Sequence, residues 1–389
     1  MSELAIVAVG YNRPRSLQRL LQSLHAAEYD GDKVPLIISI DHSGNKEVAA
    51  VAEAFEWRHG EKQVVVQQER LGLRKHIIRC GNYSLVYGGV IVLEDDLFVS
   101  PWFYQYTKQA LQKYEHESRI AGISLYSHLW NVTSDRPFQP VEDGTDAYFF
   151  QFAQSWGQAW SKQMWSRFIA WYEQQEDTVS SQDRLPHSVV QWPESSWLKY
   201  FIKYLVQSGK FFVYPRISLT TNFGDIGQHA KISSTSYQVP LQYGLKQTFH
   251  FPDFHDHAVR YDVFFERIGL GGLCAVPDEE LCVDLYGEKG KDSSKRYWLT
   301  MEQAEYRKLA SYGLQLRPHE MNVIYAIPGD DLYLYDTHEQ EHQFASRSHR
   351  SDLLKSLYDI RAIHRKEIVR LAVYHITSAI KRKLKRMSV

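Results

Sequence analysis

The chain has 389 residues, 44% hydrophobic and 23% charged, with 45 Lys plus Arg against 46 Asp plus Glu. That composition excludes wholesale disorder, and a net charge of -1 is too neutral for a surface built to coat nucleic acid. The length exceeds what a single core usually holds, and the aromatic share of 14% is the unusual number.

Leu4–Val9 is an unbroken apolar run ending at Gly10 and reads as a buried strand. Ser16–Ala27 places Leu17, Leu20, Leu21 and Leu24 at helical spacing, with Ser16 as the expected N-cap. Further strands are expected at Leu36–Ile40, Gln63–Val66, Val90–Leu93 and Ile120–Leu125, and helices at Lys46–Phe55, His76–Tyr87 and Pro101–Tyr114. Continuous apolar strands alternating with helices signal an α/β fold with a mainly parallel sheet and helices on both faces. Residues 126–160 read as aromatic, loop-rich chain. Lys162–Tyr172 and Ser196–Gln207 look helical, Phe211–Tyr214 extended, and 220–260 a long, mobile loop region. Strand-like pieces at Leu281–Tyr286 and Val323–Ile327 follow, then a polar linker over 337–350 and a long helix over 351–384.

Three cysteines, Cys80, Cys274 and Cys282, form no CxxC pair, which argues against structural zinc and against a disulfide framework. The amino terminus lacks a basic, apolar leader, and no window reaches the ~18 apolar residues of a membrane span. The expected location is therefore the cytoplasm, where the sequon Asn131-Val132-Thr133 would have no use. Five basic residues in Lys381-Arg382-Lys383-Leu384-Lys385-Arg386 suit either a solvated helix end or peripheral contact with anionic lipid.

The strongest chemical signal is Val90-Ile91-Val92-Leu93 followed by Glu94-Asp95-Asp96. Acids emerging at the carboxyl end of a buried strand stand where open α/β sheets bind ligands. They repel one another unless a cation neutralises them, and hard divalent cations prefer oxygen ligands. A cation shared with a diphosphate would neutralise both; the plainer alternative is a solvated acidic turn. Arg13, in the loop after the first strand, lies at the same edge and can meet a base or phosphate, or be an ordinary surface Arg. Asp41 ends the second strand there and can accept from a uracil or ribose, or serve as a turn residue.

The order strand–Asn12-Arg13-Pro14–helix–strand–Asp41–helix–strand–Gly72-Leu73-Arg74–strand–Glu94-Asp95-Asp96 resembles the GT-A glycosyltransferases over roughly residues 4–230. Within them it looks most like N-acetylglucosaminyltransferase I and its relatives. Tyr214-Pro215-Arg216-Ile217-Ser218-Leu219-Thr220 and Phe223-Gly224 also resemble that family's segments. The resemblance implies a UDP-sugar or similar nucleotide-sugar donor, Mn2+ or Mg2+ on Asp96, and Glu94 and Asp95 beside the donor sugar and ribose. It further implies nucleotide contacts from Arg13, Asp41 and Arg74, a loop over the donor at Gly224–His229, and an inverting transfer to a glycan or lipid-linked hydroxyl. Residues 1–125 would then be the nucleotide-sugar half and 126–265 the acceptor half, with 266–336 a small α+β region and 337–389 linker and basic helix.

The chain departs from that family at the base. Where the family has Trp-Asp-Asp-Trp, this chain has Trp192-Pro193-Glu194-Ser195-Ser196-Trp197, and a serine is no base at neutral pH. Glu194 is the expected base, with Asp183 and Asp146 in reserve, unless Glu194 merely caps the following helix. Among the aromatics, Trp156 beside Gly157 is the expected acceptor platform; the others read as core. A rival metal cluster at His250, Asp253, His255, Asp256 and His257 lacks a buried strand to hold it rigid. Two other functions stay open: a nucleotidyltransferase, and a non-catalytic sugar-binding protein on the same scaffold.

Overall fold

A computed structural model describes residues 3–134, 136–175, 178–225, 235, 237–255, 257–341 and 365–387. Side chains at 371, 375, 378–379 and 381–387, the basic run 381–386 among them, lie outside that description.

The first stretch alternates as its apolar runs predict: β1 (Leu4–Gly10), α1 (Pro14–His25), β2 (Leu36–Ile40), α2 (Lys46–Ala54), β3 (Lys62–Val66), α3 (Leu73–Gly81), α4 (Tyr83–Tyr87), β4 (Gly89–Glu94), β5 (Leu97–Val99), α5 (Phe103–Lys113) and β6 (Ile120–Ser124). Pro14 opens α1, where its fixed φ fits the first turn and its missing N–H costs nothing. Ser16, expected as the cap, lies inside that helix, and its hydroxyl is bonded to Asp225 instead. The single helix expected over His76–Tyr87 is two. Its break falls at Asn82, which accepts a 2.8 Å bond from the Trp165 indole N–H. A Cβ on Gly81 would stand 2.1 Å from the Trp165 ring, so the helix turns where that ring wedges in.

The aromatic stretch read as loop contains β7 (Trp130–Asn131), β8 (Arg136–Pro137), β9 (Ala147–Phe150) and β10 (Gln158–Ser161). After these come α6 (Lys162–Tyr172), α7 (His187–Val190), α8 (Trp197–Gln207), β11 (Phe211–Pro215), β12 (Thr220–Asn222) and β13 (Arg260–Tyr261). The main sheet orders its strands β13-β9-β11-β6-β10-β4-β1-β2-β3. Five neighbouring pairs are parallel. The three antiparallel pairs involve β9 or β10. The fold is thus α/β with a large, mainly parallel sheet flanked by helices. Because β10 runs against both β4 and β6, those two strands point the same way, and their carboxyl ends share one edge with β1 and β2.

One hydrophobic core runs through both halves of this sheet, from Ala5 to Phe265, and takes in Tyr286. A second, smaller core lies under β14 (Leu281–Asp284), β15 (Tyr297–Thr300), β16 (Tyr306–Tyr312), α9 (Met321–Ile324) and β17 (Leu332–Gln340). Two expectations change here. Val323–Ile327, read as extended, begins inside α9, because Asn322 turns the chain by bonding Gln315 N–H, Leu316 N–H and the Leu316 carbonyl. Residues 337–340, read as linker, continue β17 alongside β16. The last helix, α10, spans Arg365–Met387, so the 351–364 part of the expected helix lies outside the described residues. No helix among the described residues is long and apolar enough to cross a membrane.

Candidate functional site

At the carboxyl edge, β4 ends on Glu94, and Asp95 and Asp96 form the turn that leads into β5. Arg13, at the N-cap of α1, reaches over from the loop after β1. Its guanidinium bonds the Asp95 carboxylate and lies 3.3 Å from Asp96 Oδ2. Burial alone would lower the Arg13 pKa, but the charges of Asp95 and Asp96 raise it. Burial pushes Asp95 up to about 6 against the pull of Arg13. Burial, and then the charges of Asp96 and Asp95, push Glu94 up to about 8. Three acids therefore share one paired cation, and the cluster holds more negative charge than Arg13 neutralises.

The far sides of those carboxylates tell the rest. Asp95 Oδ2 and Asp96 Oδ1 are buried with no hydrogen-bond partner among the described residues. Orphaned carboxylate oxygens are costly, and a hard divalent cation is the partner they suit. Among the described residues no group of three Asp, Glu, His or Cys could cage an ion alone. A cation on Asp95 and Asp96 would complete its shell from a bound phosphate and water, the usual arrangement for Mg2+-type ions.

Asp41 stands at the end of β2 and is buried. Its carboxylate accepts from His42 N–H at 2.9 Å, Leu71 N–H at 2.8 Å and Gly72 N–H at 3.0 Å. Three of roughly four lone-pair sites are thus spent on the backbone. Asp41 mainly fixes the turn into α3, where Gly72 takes a positive φ of 76°. Two residues on, the Arg74 guanidinium lies over the Tyr200 ring at 5.0 Å.

Tyr200 leads to Glu194. The Tyr200 hydroxyl donates to Glu194, and Lys199 Nζ donates to it at 2.6 Å. These bonds, together with the Lys199 and Arg74 charges, hold the Glu194 carboxyl below its ordinary range. The N-terminus of α8 stands at the carboxyl edge, because α8 runs back into β11, which is parallel to β6. Ser196 is the N-cap and makes no side-chain cap; Glu194 braces the first turn of α8 through Lys199 and Tyr200. Of the reserves, Asp183 pairs with Lys203 and Gln207 at the opposite end of α8, away from this edge. Asp146 is bound to Lys246 and to His250 N–H.

Trp156 precedes β10 and joins the site from the other side. Its ring lies 4.4 Å from Tyr237 and 4.8 Å from Tyr126, with His128 at 6.3 Å. The Trp156 carbonyl accepts from the Thr220 hydroxyl, while Phe223 N–H donates to the Asp96 carbonyl at 2.9 Å. The chain from Thr220 to Phe223 thus ties the Trp156 backbone to the Asp96 backbone. Gly157 holds φ at 98° there, and a Cβ on it would meet the Thr220 side chain at 2.8 Å.

Several site residues carry no signal in the sequence. Asp225 accepts from Ser16 and Arg19 on α1, and the Arg19 guanidinium lies 3.8 Å over the Phe223 ring. Only the neighbouring Phe223-Gly224 pointed to that loop; residues 226–229, the rest of the expected donor loop, lie outside the described residues. Gln158 on β10 is buried, with both amide atoms unpartnered among the described residues. Among the described residues the rival His/Asp cluster does not assemble: Asp253 pairs with Lys113 in solvent, and Asp256 lies outside those residues.

No family model matches the chain, and no curated protein matches it. Among solved structures, it is similar to a mannosyltransferase from Pyrobaculum calidifontis in complex with GDP-Man and Mn2+. That match has 13% identity and a TM-score of 0.31, covering 43% of this chain and 46% of that one. It is also similar to residues 1–349 of S. aureus TarS (12%, TM-score 0.33, 55% of this chain and 60% of that one). The TarS complex with UDP-GlcNAc gives 10% and 0.38, covering 59% and 60%. The chain thus spans about half to three fifths of the structures it matches. Likenesses of this size leave function to be argued from the site's own residues.

Proposed function

We propose that this chain is a metal-dependent glycosyltransferase of the GT-A type. It moves a sugar from a nucleoside-diphosphate donor, UDP-linked foremost, to a hydroxyl of a glycan or lipid-linked acceptor, with inversion. The observation that carries the reading is the pair of buried, unpartnered oxygens, Asp95 Oδ2 and Asp96 Oδ1, beside Arg13 at the carboxyl edge of the sheet.

Asp96, helped by Asp95, holds Mn2+ or Mg2+, which when bound offsets charge on the leaving diphosphate. Arg13 turns from the acids toward the phosphates, and Glu94 faces the donor sugar or ribose. Asp41 shapes the base pocket by clamping Leu71 and Gly72, and Arg74 stands at its rim. Trp156 supports the acceptor. Glu194, 60% exposed and ionised, accepts the acceptor's proton. Its bonds from Lys199 and Tyr200 make it a weak base, so the proton moves late, once attack has made the hydroxyl acidic. Calorimetric titration of UDP with and without Mn2+ tests the reading: affinity should rise at least tenfold with the metal. Equal affinities would refute the metal role, and a Glu194→Gln enzyme with full transfer rate would refute the base.

The proposal extends to place. Helix α10 exposes Val369, Val373, Ile376 and Ile380 at spacings of four, three and four, which is one stripe. Arg365, Lys366 and Arg370 precede or flank that stripe, a basic run ends the helix, and Glu367 is its one acid. Such a helix suits the surface of an anionic bilayer, on the cytoplasmic face, consistent with three buried, unbridged cysteines. Co-sedimentation should be strong with phosphatidylglycerol-containing vesicles and lost in a Val373→Asp/Ile376→Asp double variant. Equal binding of that variant would remove the membrane from the proposal.

A further inference from the structure

The main sheet has two ends, and they are finished differently. At one end β13 is covered: the chain turns back so that Arg267 bridges Tyr261, and Ile268 N–H donates to the Arg260 carbonyl at 2.9 Å. At the other end β3 pairs with β2 alone, and no strand lies on its outer side among the described residues. Leu36 N–H donates to the Glu61 carbonyl and Gln67 N–H to the Ile40 carbonyl, both at 2.9 Å. In a parallel ladder alternate residues face the neighbouring strand. Glu61, Gln63, Val65 and Gln67 therefore face β2, and the N–H and C=O groups of Lys62, Val64 and Val66 point outward.

This edge lacks the features that keep strands from pairing. Edge strands are usually blunted by charge, proline or bulges. The smaller sheet shows such a guard: β16 has two breaks in register and carries Arg307 and Lys308. In contrast, β3 runs in unbroken register, and no proline falls between Pro35 and Pro101. Its one charge, Lys62, turns back on its own chain, where Nζ bonds the carbonyls of Ala52, Glu53 and Phe55 at 3.0, 2.8 and 2.7 Å. Val66 is 47% exposed.

The edge also carries its own complement. Gln63-Val64-Val65-Val66-Gln67 reads the same in both directions. Two copies laid antiparallel about a twofold axis at Val65 set Val64 against Val66 and Gln63 against Gln67. That register fits the outward groups, because Val64 and Val66 then exchange both hydrogen bonds across the axis. It also answers an orphan. Gln67 is buried and its Nε2 has no partner among the described residues, while Gln63, which would stand opposite, is exposed. The chain bends at Gln68 and Glu69, so the pairing stops before Glu69 would face Glu61.

We propose that β3 is a self-association edge, joining two copies of this chain into a twofold dimer with one continuous sheet. With the β13 end covered, growth stops at two. The carboxyl edges of the two copies point in opposite directions, and the acids at the end of β4 lie two strands away from the interface. The dimer does not depend on which reaction the chain performs.

Sedimentation velocity of the full chain, run from about 1 to 100 μM, should show twice the chain mass at the upper end. Val64→Pro deletes one outward N–H and leaves the β2 ladder whole, so it should weaken association at least tenfold. Disulfides read the register. Val65→Cys faces its own copy across the axis, with Cα atoms about 4.5 Å apart, and should cross-link under oxidised glutathione. Gln63→Cys faces Gln67 of the second copy and should not, although position 63 is the more exposed; the native cysteines are buried. A monomer throughout, a mass that climbs past two copies, an undiminished dimer in Val64→Pro, or Gln63→Cys cross-linking as readily as Val65→Cys overturns the proposal. If Val64→Pro does not fold, the two cysteine variants decide.

Discussion

The two halves of the main sheet are built from different material. In the amino-terminal half, β1, β2 and β4 and the inner face of α1 are aliphatic: Ile6, Val7, Leu20, Leu24, Ile37, Ile38, Val92 and Leu93 are all buried. In the other half, rings do that work. Phe168 stacks on Phe201 at 4.0 Å, Trp160 lies 4.6 Å from Trp165, and Phe150, Phe212 and Tyr214 fill the sheet face. Aliphatic chains pack adaptably around a parallel sheet, whereas rings need flat gaps of fixed shape. The difference also separates tasks: the aliphatic half carries the charged edge, and most of the aromatic excess is core, with Trp156 at the boundary.

The largest effect should come from the charged edge itself. Asp96→Asn keeps the shape and removes one charge from the cluster. Mn2+-dependent UDP affinity should disappear, and donor hydrolysis or transfer should fall about 10²–10³-fold. Thermal stability should hold, because a buried, partly unpaired charge is lost. Retained metal dependence would show that the two halves do not divide the labour in this way.

That division also explains what could be read from the sequence. The parallel strands announced themselves as unbroken aliphatic runs, so β1 to β4 and β6, and with them Arg13, Asp41 and the acids, fell within a residue or two of expectation. The aromatic half did not. Tyr148-Phe149-Phe150 and Gln158-Ala159-Trp160-Ser161 are short, and nothing local tells that β10 inserts between β4 and β6. Asp225 meets Ser16 and Arg19 across more than 200 residues, a pairing only the fold can make. Val323 looked extended on apolar content alone, but the Asn322 bonds to the backbone decide that turn.

A smaller effect probes the rings. Gly122 on β6 faces Phe212 on β11, and a Cβ there would stand 2.4 Å from the ring. Gly122→Ala should cost about 1–3 kcal/mol in urea unfolding, since a buried ring cannot retreat. Ile38→Val in the aliphatic half should cost about 0.5–1.5 kcal/mol. If the alanine cost less than the valine, the contrast in packing would be wrong.

The smallest effect lies where the halves meet, at the Arg74–Tyr200–Glu194 contact. Glu194 is largely exposed, but its partner Lys199 is fully buried and also donates to the Trp192 carbonyl at 3.0 Å. Because the folded state holds the Glu194 carboxyl below its unfolded value, its contribution is present above the ordinary carboxylate pKa. That contribution is lost as pH falls through the lowered folded value. Glu194→Gln should therefore lower the melting temperature slightly at pH 7, and the gap to wild type should close as the pH drops below about 4. Stability and rate then separate two roles for one side chain. A brace for Lys199 predicts the pH-dependent melting shift with transfer unchanged, and a base predicts the shift together with a lost rate. A melting gap that stayed constant down to acid pH would mean that the charge of Glu194 does not hold the two halves together at this point.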